Sequence, residues 1–211
     1  MKTILLTVLA AAVIAVPATA ATKPNPALLH PAKLHAKAPA LFKVRFNTTK
    51  GAFVVTVHRA WAPRGADRFY NLVRARFYDG DRLFRVVPGF VVQFGISPSP
   101  KISKAWLNAT IADDKVRHSN TPGTMTFAAA ASPNTRTTQV FVNLGNDAFL
   151  DAQRFAPFGA ITSGRKVLAK LYHGYGETPT NAQGQMFAQG ESFLRKTFPK
   201  LDRILTARVV K

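Results

Sequence analysis

Two polar side chains, Arg85 and Gln93, are candidates for chemistry because they interrupt an apolar run. The run from Phe84 to Gly95 reads FRVVPGFVVQFG and contains no acid, histidine or cysteine. If the run is buried, each polar side chain needs a partner or a purpose, because a buried polar group without a partner is costly and a buried charge costs more. Period two along a strand predicts that Val91 and Gln93 share one face and that Val92 lies on the other.

Other residues with chemical potential do not combine into a site. The histidines are scattered, with no pair at metal-ligand spacing on one predicted element. Asp113 and Asp114 are adjacent in a polar stretch and are interpreted as a solvated turn. The stretch SGRKVL, which begins at Ser163, has too few glycines for a phosphate-binding loop. The chain has no cysteine, which excludes thiol catalysis, and we expect neither a metal nor a cofactor.

The elements that flank the run begin with a hairpin and a helix. Residues 41–48 and 51–58 alternate apolar and polar side chains around a turn, which predicts two paired strands. Residues 62–80 carry apolar side chains at helical spacing, with Pro63 suited to the first turn and Gly80 just beyond the end. An amphipathic helix is therefore predicted after the hairpin.

Strand patterns continue along the rest of the chain. A long irregular excursion is expected from Ile96 to Pro122, a second helix after an N-cap at Ser163, and a loop over residues 175–190. The other predicted elements are strands at 82–87, 90–95, 123–130, 138–144, 155–161 and 204–210, and a short helix within 191–202. Because β-α-β alternation is absent, we expect a mainly β fold. The predicted architecture is a closed eight-stranded antiparallel β-barrel capped by two helices, with a short extra helix near the C-terminus.

The first 20 residues have the layout of a secretory signal peptide. Lys2 precedes an apolar core, Ile4–Val16, and the small-x-small ending Ala18–Ala20. A membrane anchor is the rival interpretation, but the core is shorter than the roughly 20 residues of a spanning helix. Residues 21–40, rich in Pro, Ala and Lys, are interpreted as a linker, and residues 41–211 as the folded domain. The mature protein is expected in the periplasm or secreted.

The charge is strongly positive, with 29 Lys and Arg against 10 Asp and Glu and a net charge of +19. Such a surface can attract nucleic acid or another anionic surface by long-range steering. The basic residues form no dense tract, so the preferred interpretation is a solvated basic surface that binds polyanions only non-specifically. Nothing in the sequence requires an oligomer, and we expect a monomer.

The order of several motifs resembles that of the cyclophilins, the β-barrel family of peptidyl-prolyl cis-trans isomerases. The run FRVVPGFVVQFG is followed in the chain by GTMTFA, SPNTRTTQVFVNL, NDAFLD and FAPFGAI. The resemblance extends from about Leu41 to Val210. One of these motifs alone would be unspecific, but the ordered set is specific to the family.

The resemblance implies catalysis without a covalent intermediate. Rotation about an Xaa-Pro bond faces a barrier of about 18–20 kcal/mol from amide resonance. A dry apolar pocket and a fixed hydrogen-bond donor that favours the twisted amide would lower this barrier. Arginine suits the role of donor, because it stays charged and presents a rigid fork of N–H groups. Arg85 matches the arginine that cyclophilins direct at the prolyl amide and is the implied catalytic residue.

The resemblance also implies the residues that bind substrate. Gln93 matches a glutamine that holds the arginine and the substrate backbone, and Gln139 matches a second glutamine at the border of the site. Ala128 and Ala129 match the segment that pairs with the extended substrate through backbone groups. The implied apolar pocket for the proline ring consists of Phe90, Val91, Phe141 and Leu150.

Two residues depart from the family pattern. Phe149 stands where cyclosporin-sensitive members carry tryptophan, and Phe155 stands where many members have histidine and bacterial ones often have tyrosine. Both replacements keep an aromatic wall and remove a polar tip. The departures imply weak binding of cyclosporin and a more apolar substrate preference, with activity retained.

Three functions from different classes remain open at this point. The first is a prolyl isomerase that acts on proline-containing segments of unfolded or exported proteins. The second is a non-catalytic module that binds such segments, or acts as a chaperone, on the same fold. The third, binding to an anionic surface, rests only on the net charge. Comparing the isomerisation rates of the wild type and Arg85→Ala distinguishes the first from the others.

Overall fold

The computed structural model describes residues 25–211. The predicted signal peptide, residues 1–20, lies outside the described residues, as do residues 21–24. The described strands are β1 (Leu41–Thr48), β2 (Gly51–His58), β3 (Arg85–Val86), β4 (Val91–Phe94), β5 (Thr124–Phe127), β6 (Val140–Asn143), β7 (Pro157–Ser163) and β8 (Ile204–Val210). The α-helices are α1 (Pro63–Arg74), α2 (Pro100–Trp106), α3 (Gln183–Gln189) and α4 (Glu191–Thr197). Short 3-10 helices occupy Pro26–Leu29, Pro31–Lys33, Ala148–Gln153, Arg165–Lys170 and Thr178–Ala182.

The eight strands form one sheet in the order β3-β4-β6-β5-β7-β2-β1-β8, and all adjacent strands are antiparallel. The predicted hairpin of β1 and β2 is paired along its whole length. Across the described residues, the segments that precede the edge strands β3 and β8 meet at an isolated bridge between Arg82 and Arg203, and the two edge strands form no ladder with each other. The mainly β fold with eight antiparallel strands is therefore confirmed, whereas a closed barrel is not.

The main core lies between the curled sheet and α1. Alternate residues of β1 point inward, and Phe46 stacks on Phe53 of β2 with ring centroids 4.8 Å apart. Helix α1 contributes Phe69, which is fully buried and packs 4.9 Å from Phe158 of β7. Burying large apolar side chains is the main favourable contribution to folding. The sheet that carries the candidate residues Arg85 and Gln93 thus packs against a buried core on one face.

A carboxylate from a distant loop caps α1. The backbone N–H groups of Arg64 and Gly65 donate to Asp114 at 3.0 and 2.9 Å. The guanidinium of Arg136 donates to the same carboxylate at 3.1 Å. The first N–H groups of a helix lack partners within the helix, and a carboxylate there is favourable. The interpretation of Asp113 and Asp114 as a solvated turn is therefore wrong for Asp114, which is buried.

Helices α2 and α3 differ from the predictions. Helix α2 lies inside the predicted irregular excursion, and α3 lies inside the predicted loop, whereas the short helix near the C-terminus is confirmed as α4. The two unpredicted helices have seven residues each, which is too short for a clear helical period. No helix among residues 25–211 combines the length and hydropathy needed to cross a bilayer.

The predicted second capping helix is a 3-10 helix, and Ser163 is not its N-cap. Ser163 is the last residue of β7 and pairs with Val54 of β2. Gly164 begins the turn instead, with a φ of +78°, a left-handed conformation that glycine adopts without strain. Sheet pairing therefore competes with capping at this position and determines where the strand ends.

Residues 26–38 pack against the domain, where the sequence predicted a linker. Leu28 is 1% exposed, and its carbonyl accepts a hydrogen bond of 2.8 Å from the indole N–H of Trp106. Further along, the N–H of Ala38 donates to the carboxylate of Asp67 at 2.8 Å. The composition of this segment is that of a spacer, but its few apolar and backbone groups find partners on α1 and α2.

Candidate active site

Arg85 and Gln93 face each other across a tight hairpin. Strands β3 and β4 pair so that Arg85 lies opposite Gln93, and Nη1 of Arg85 donates to Oε1 of Gln93 at 3.0 Å. Pro88 and Gly89 form the turn, in which Gly89 has a φ of +76°. The two polar residues of the apolar run are therefore partners of each other.

Strand β4 separates the main core from the candidate site. Val92 belongs to the main core, whereas Val91 forms a small cluster with Phe141 and Leu150. Gln93 lies on the same side as Val91 and lines the same pocket. The predicted alternation along β4 is thus confirmed, and it turns one apolar face towards the site.

A pocket of about 230 Å³ opens beside Arg85. Its floor is the buried cluster around Phe141, against which Phe155 packs edge-on at 5.7 Å between ring centroids. The complete lining is Arg85, Phe90, Val91, Gln93, Ala128, Ala129, Phe141, Leu150, Phe155, Thr180 and Gln183. The last two are the only lining residues that the resemblance did not imply. The structure therefore brings most of the implied residues to one cavity.

The wall that carries Leu150 and Phe155 is fixed by Asp151. Its carboxylate accepts hydrogen bonds from the Ser119 hydroxyl at 2.5 Å and from the Asn120 backbone N–H at 2.9 Å. The Asn120 side chain also donates to the carbonyl of Phe155 at 2.8 Å. Burial alone would raise the pKa of Asp151, but the hydrogen bonds outweigh burial and lower the pKa. The carboxylate that holds this wall is therefore ionised at neutral pH.

Gln139 does not line the pocket but links two residues that do. Gln93 donates through Nε2 to Oε1 of Gln139 at 2.8 Å. Gln139 in turn donates to Oε1 of Gln183, the first residue of α3, at 2.9 Å. The hydrogen bonds thus run in one direction from Arg85 through Gln93 and Gln139 to Gln183.

The guanidinium of Arg85 is also held by a carboxylate. Nε and Nη2 of Arg85 each donate to Glu177 at 2.8 Å, which is a bidentate pair. Cζ of Arg85 lies 5.1 Å from the ring centroid of Phe90, a distance at which a cation is attracted to an aromatic face. The arginine therefore sits at the polar edge of the pocket with its plane fixed on several sides.

The remaining implied residues lie at the rim. Phe149 is 57% exposed and stacks on Phe90 with ring centroids 6.1 Å apart, without lining the pocket. Ala128 and Ala129 follow directly after β5 and line the pocket. The backbone N–H of Ala128 is already bonded to the carbonyl of Gln139 at 2.9 Å. That N–H is thus engaged within the sheet, so pairing with a substrate would need other backbone groups of this segment.

Three residues of the candidate site were missed by reasoning from the sequence: Glu177, which pairs with Arg85, and the lining residues Thr180 and Gln183. All lie in the stretch 175–190, which was interpreted as a loop, and nothing local links it to β3. One feature of the sequence could have indicated a partner for Arg85: acids are scarce in this chain, with 10 against 29 basic residues, so few candidates exist. A half-buried arginine such as Arg85 would require one of them as a partner.

The lining determines what the pocket can do chemically. It offers a cationic donor, amides and an apolar floor, and its lining includes no carboxylate and no imidazole. Among residues 25–211, no three histidine or acidic side chains are grouped so as to hold a metal ion. Such a cavity suits an apolar ring joined to a hydrogen-bond acceptor.

Comparison with known proteins extends over most of the chain. The model of the family described as "Cyclophilin type peptidyl-prolyl cis-trans isomerase/CLD" matches residues 43–187. A peptidyl-prolyl cis-trans isomerase of Acinetobacter baylyi is 29% identical over 145 residues, which cover 67% of this chain and 75% of the relative. Peptidyl-prolyl cis-trans isomerase A of Dickeya dadantii is 33% identical over 135 residues, which cover 61% of this chain and 70% of the relative.

Solved structures share the fold at low sequence identity. A cyclophilin of Cryptosporidium parvum aligns with a TM-score of 0.59 and 15% identity over 81% of this chain and 98% of its own. The same protein, crystallised in the presence of the dipeptide Ala-Pro, aligns with a TM-score of 0.58 and 17% identity over 80% of this chain and 99% of its own. The cyclophilin AquaCyp293 of Hirschia baltica aligns with a TM-score of 0.58 and 17% identity over 82% of this chain and 75% of its own.

Proposed function

The chain belongs to the cyclophilin-type peptidyl-prolyl cis-trans isomerase family, and from this premise we propose that it accelerates Xaa-Pro rotation with Arg85 as the catalytic donor. The observation that carries the proposal is the position of the Arg85 guanidinium at the polar edge of an apolar pocket. Uncatalysed rotation takes tens to hundreds of seconds at 25 °C. A donor at this position could accelerate it by lowering the barrier to rotation about the Xaa-Pro bond.

The proposed mechanism needs no proton transfer and no covalent intermediate. The floor formed by Val91, Phe141 and Leu150 holds the proline ring away from water. As the amide twists, its nitrogen loses conjugation and becomes a better hydrogen-bond acceptor. Arg85 then donates a stronger hydrogen bond to the prolyl nitrogen in the transition state than in either planar isomer, and such a difference is the condition for catalysis.

Proline-containing polypeptides are the proposed substrates. The Cryptosporidium cyclophilin was crystallised in the presence of the dipeptide Ala-Pro, which supports proline-containing peptides as ligands of this pocket. The pocket of about 230 Å³ is small and largely apolar, which favours a single ring over an extended side chain. The proposal that the natural clients are exported proteins rests on the leader-like sequence of residues 1–20 alone.

The test compares isomerisation rates of proline peptides for the wild type, Arg85→Ala and Arg45→Ala. Arg45 is an exposed arginine on β1, outside the pocket lining, and serves as the matched control. We expect Arg85→Ala to lose about 100-fold or more in kcat/KM, as for other preorganised donors, and Arg45→Ala to keep the wild-type rate. Circular dichroism melts verify that each variant is folded.

Two outcomes would contradict the proposal in different ways. If wild-type protein binds proline peptides but does not exceed the uncatalysed rate, the protein is a binding module, the second function considered above. If the wild type is active and Arg85→Ala is equally active, the protein is an isomerase whose donor is not Arg85.

A further inference from the structure

The bidentate pair between Arg85 and Glu177 leaves donors of the guanidinium free. An arginine carries five N–H groups. The described contacts use three of them, two for Glu177 and one for Gln93. Two N–H groups are left for a substrate, so the pair holds the guanidinium without consuming its capacity to donate. The side-on contact with the carboxylate also fixes the plane of the group, because both partners are planar.

A second contact connects the same segment to Arg85. The segment from Glu177 to Gln183 consists of the 3-10 helix Thr178–Ala182 and the residues at its two ends. Gln183 accepts the last hydrogen bond of the chain that begins at Arg85. Each end of this segment therefore reaches the guanidinium, one directly and one through two glutamines.

The segment is anchored to the strand that carries Arg85. Phe84, the residue before Arg85, packs in a buried cluster with Met186 of α3 and Leu194 of α4. Pro179, within the 3-10 helix, is also buried. These contacts fix the distance between β3 and the segment, so Glu177 is presented to Arg85 by a packed element.

We infer that Glu177 is a positioning residue for Arg85 and that Gln183 supports the same geometry from the other side. The inference rests on the proposed function. Glu177 is 53% exposed at its side chain, and exposed ion pairs contribute little to stability. Small displacements of a catalytic group, in contrast, reduce rates strongly. The ion pair between Glu177 and Arg85 therefore contributes more to the isomerisation rate than to the stability of the fold.

The test measures kcat and KM separately for Glu177→Gln, Glu177→Asp and Glu191→Gln. Glu191→Gln is the matched control, because Glu191 makes a bidentate pair with Arg82 outside the pocket. We expect Glu177→Gln to lower kcat about tenfold with KM within about twofold of the wild type. Glu177→Asp, which keeps the carboxylate, should recover part of the loss. Glu191→Gln should keep the wild-type kcat.

A double variant shows whether Glu177 acts through Arg85. In the Arg85→Ala background, Glu177→Gln should cause no further loss of rate, because the group that it positions is absent. NMR spectra of the Arg85 Nε–H report on the ion pair independently of an activity assay. In Glu177→Gln, this proton should exchange with solvent faster than in the wild type.

Distinct results overturn the inference and the proposed function. A kcat for Glu177→Gln equal to or above the wild type, or a full further loss in the Arg85→Ala background, would show that Glu177 does not position Arg85. An unchanged exchange rate of the Arg85 Nε–H would show the same independently of catalysis. Only the rates of the wild type and of Arg85→Ala bear on the proposed function itself.

Discussion

At the scale of single residues, the site depends on how one charge is held. Arg85 is 22% exposed at its side chain, which is too buried for a free charge and too open for a structural core pair. Its partners are a carboxylate, an amide and an aromatic face. Together they orient a cation beside an apolar floor, which strengthens the interaction of the cation with an acceptor bound there.

Phe149 provides a test of the rim at the residue scale. Phe149→Trp would add an indole N–H on an exposed ring next to Phe90. We expect cyclosporin to bind the variant about 2- to 10-fold more tightly than the wild type, which is the effect of one additional hydrogen bond. Isothermal titration measures the change, and Phe149→Leu, which adds no donor, is the control. Equal affinity of Phe149→Trp and the wild type would refute the importance of this position.

At the scale of elements, the site is built from parts that are distant in the sequence. The hairpin of β3 and β4 carries Arg85, and the floor residues Val91, Phe141 and Leu150 come from β4, β6 and the 3-10 helix Ala148–Gln153. The segment around α3 supplies two further lining residues, Thr180 and Gln183. Each of these elements is short, so its position depends on packing and not on its own stability.

The N-terminal segment, residues 26–38, is tested by removing one buried side chain. Leu28→Ala should lower the free energy of unfolding by about 2–5 kcal/mol, because a buried leucine loses both its transfer energy and its packing. Leu29 is the matched control, since it is the next residue and is 45% exposed. Leu29→Ala should change stability by less than about 0.5 kcal/mol.

Denaturant unfolding of both variants measures these changes. Equal, small effects of Leu28→Ala and Leu29→Ala would mean that the segment behaves as a linker, as its composition predicts. A large effect confined to Leu28→Ala would make the segment a part of the domain.

At the scale of the whole molecule, seven of the ten acids form ion pairs with basic side chains. Six of them pair with arginines and one with Lys50: Asp67, Asp79, Asp113, Asp114, Glu177 and Glu191 with arginines, and Asp202 with the lysine. Because the acids are used in this way, the surplus of positive charge lies on the surface with few acids to oppose it. This distribution supports the proposal of a non-specific attraction to anionic polymers.

One buried acid makes the stability of the whole molecule depend on pH. Asp81 is fully buried, and burial, followed by the nearby charge of Asp79, raises its pKa well above the ordinary value. The backbone N–H of Gly95 offsets a part of this shift, but neither carboxyl oxygen has a hydrogen bond of normal geometry in the described part. The folded protein therefore binds a proton at Asp81 that the unfolded chain releases.

The sign of the pH dependence follows from this difference in proton binding. The contribution of Asp81 is most favourable below the unfolded pKa, about 3.9, and is lost as pH rises towards the raised folded value. Asp81→Asn carries no charge at any pH, so we expect it to be more stable than the wild type by at least about 1 kcal/mol at pH 7 to 8. The difference should shrink towards pH 4, and urea melts at several pH values measure it. A constant difference across this range would contradict the assignment.

The sequence by itself determined which strands form and which residues of β4 share one face, and the resemblance implied that Gln93 holds Arg85. These features depend on local alternation, turn residues and the order of motifs, which are properties of neighbouring residues. The ordered motifs also predicted the family, which the comparisons confirm. They further predicted most of the residues that the structure brings to one pocket.

Only the tertiary structure decided the features that join distant segments. The pairing of Glu177 with Arg85, the capping of α1 by Asp114 and the docking of Leu28 on Trp106 each connect residues 49 or more positions apart. No local pattern encodes such contacts, because they depend on how the sheet curls and on which loops it brings together. For the same reason the sequence could identify Arg85 as the candidate donor but not Glu177, the carboxylate that pairs with it.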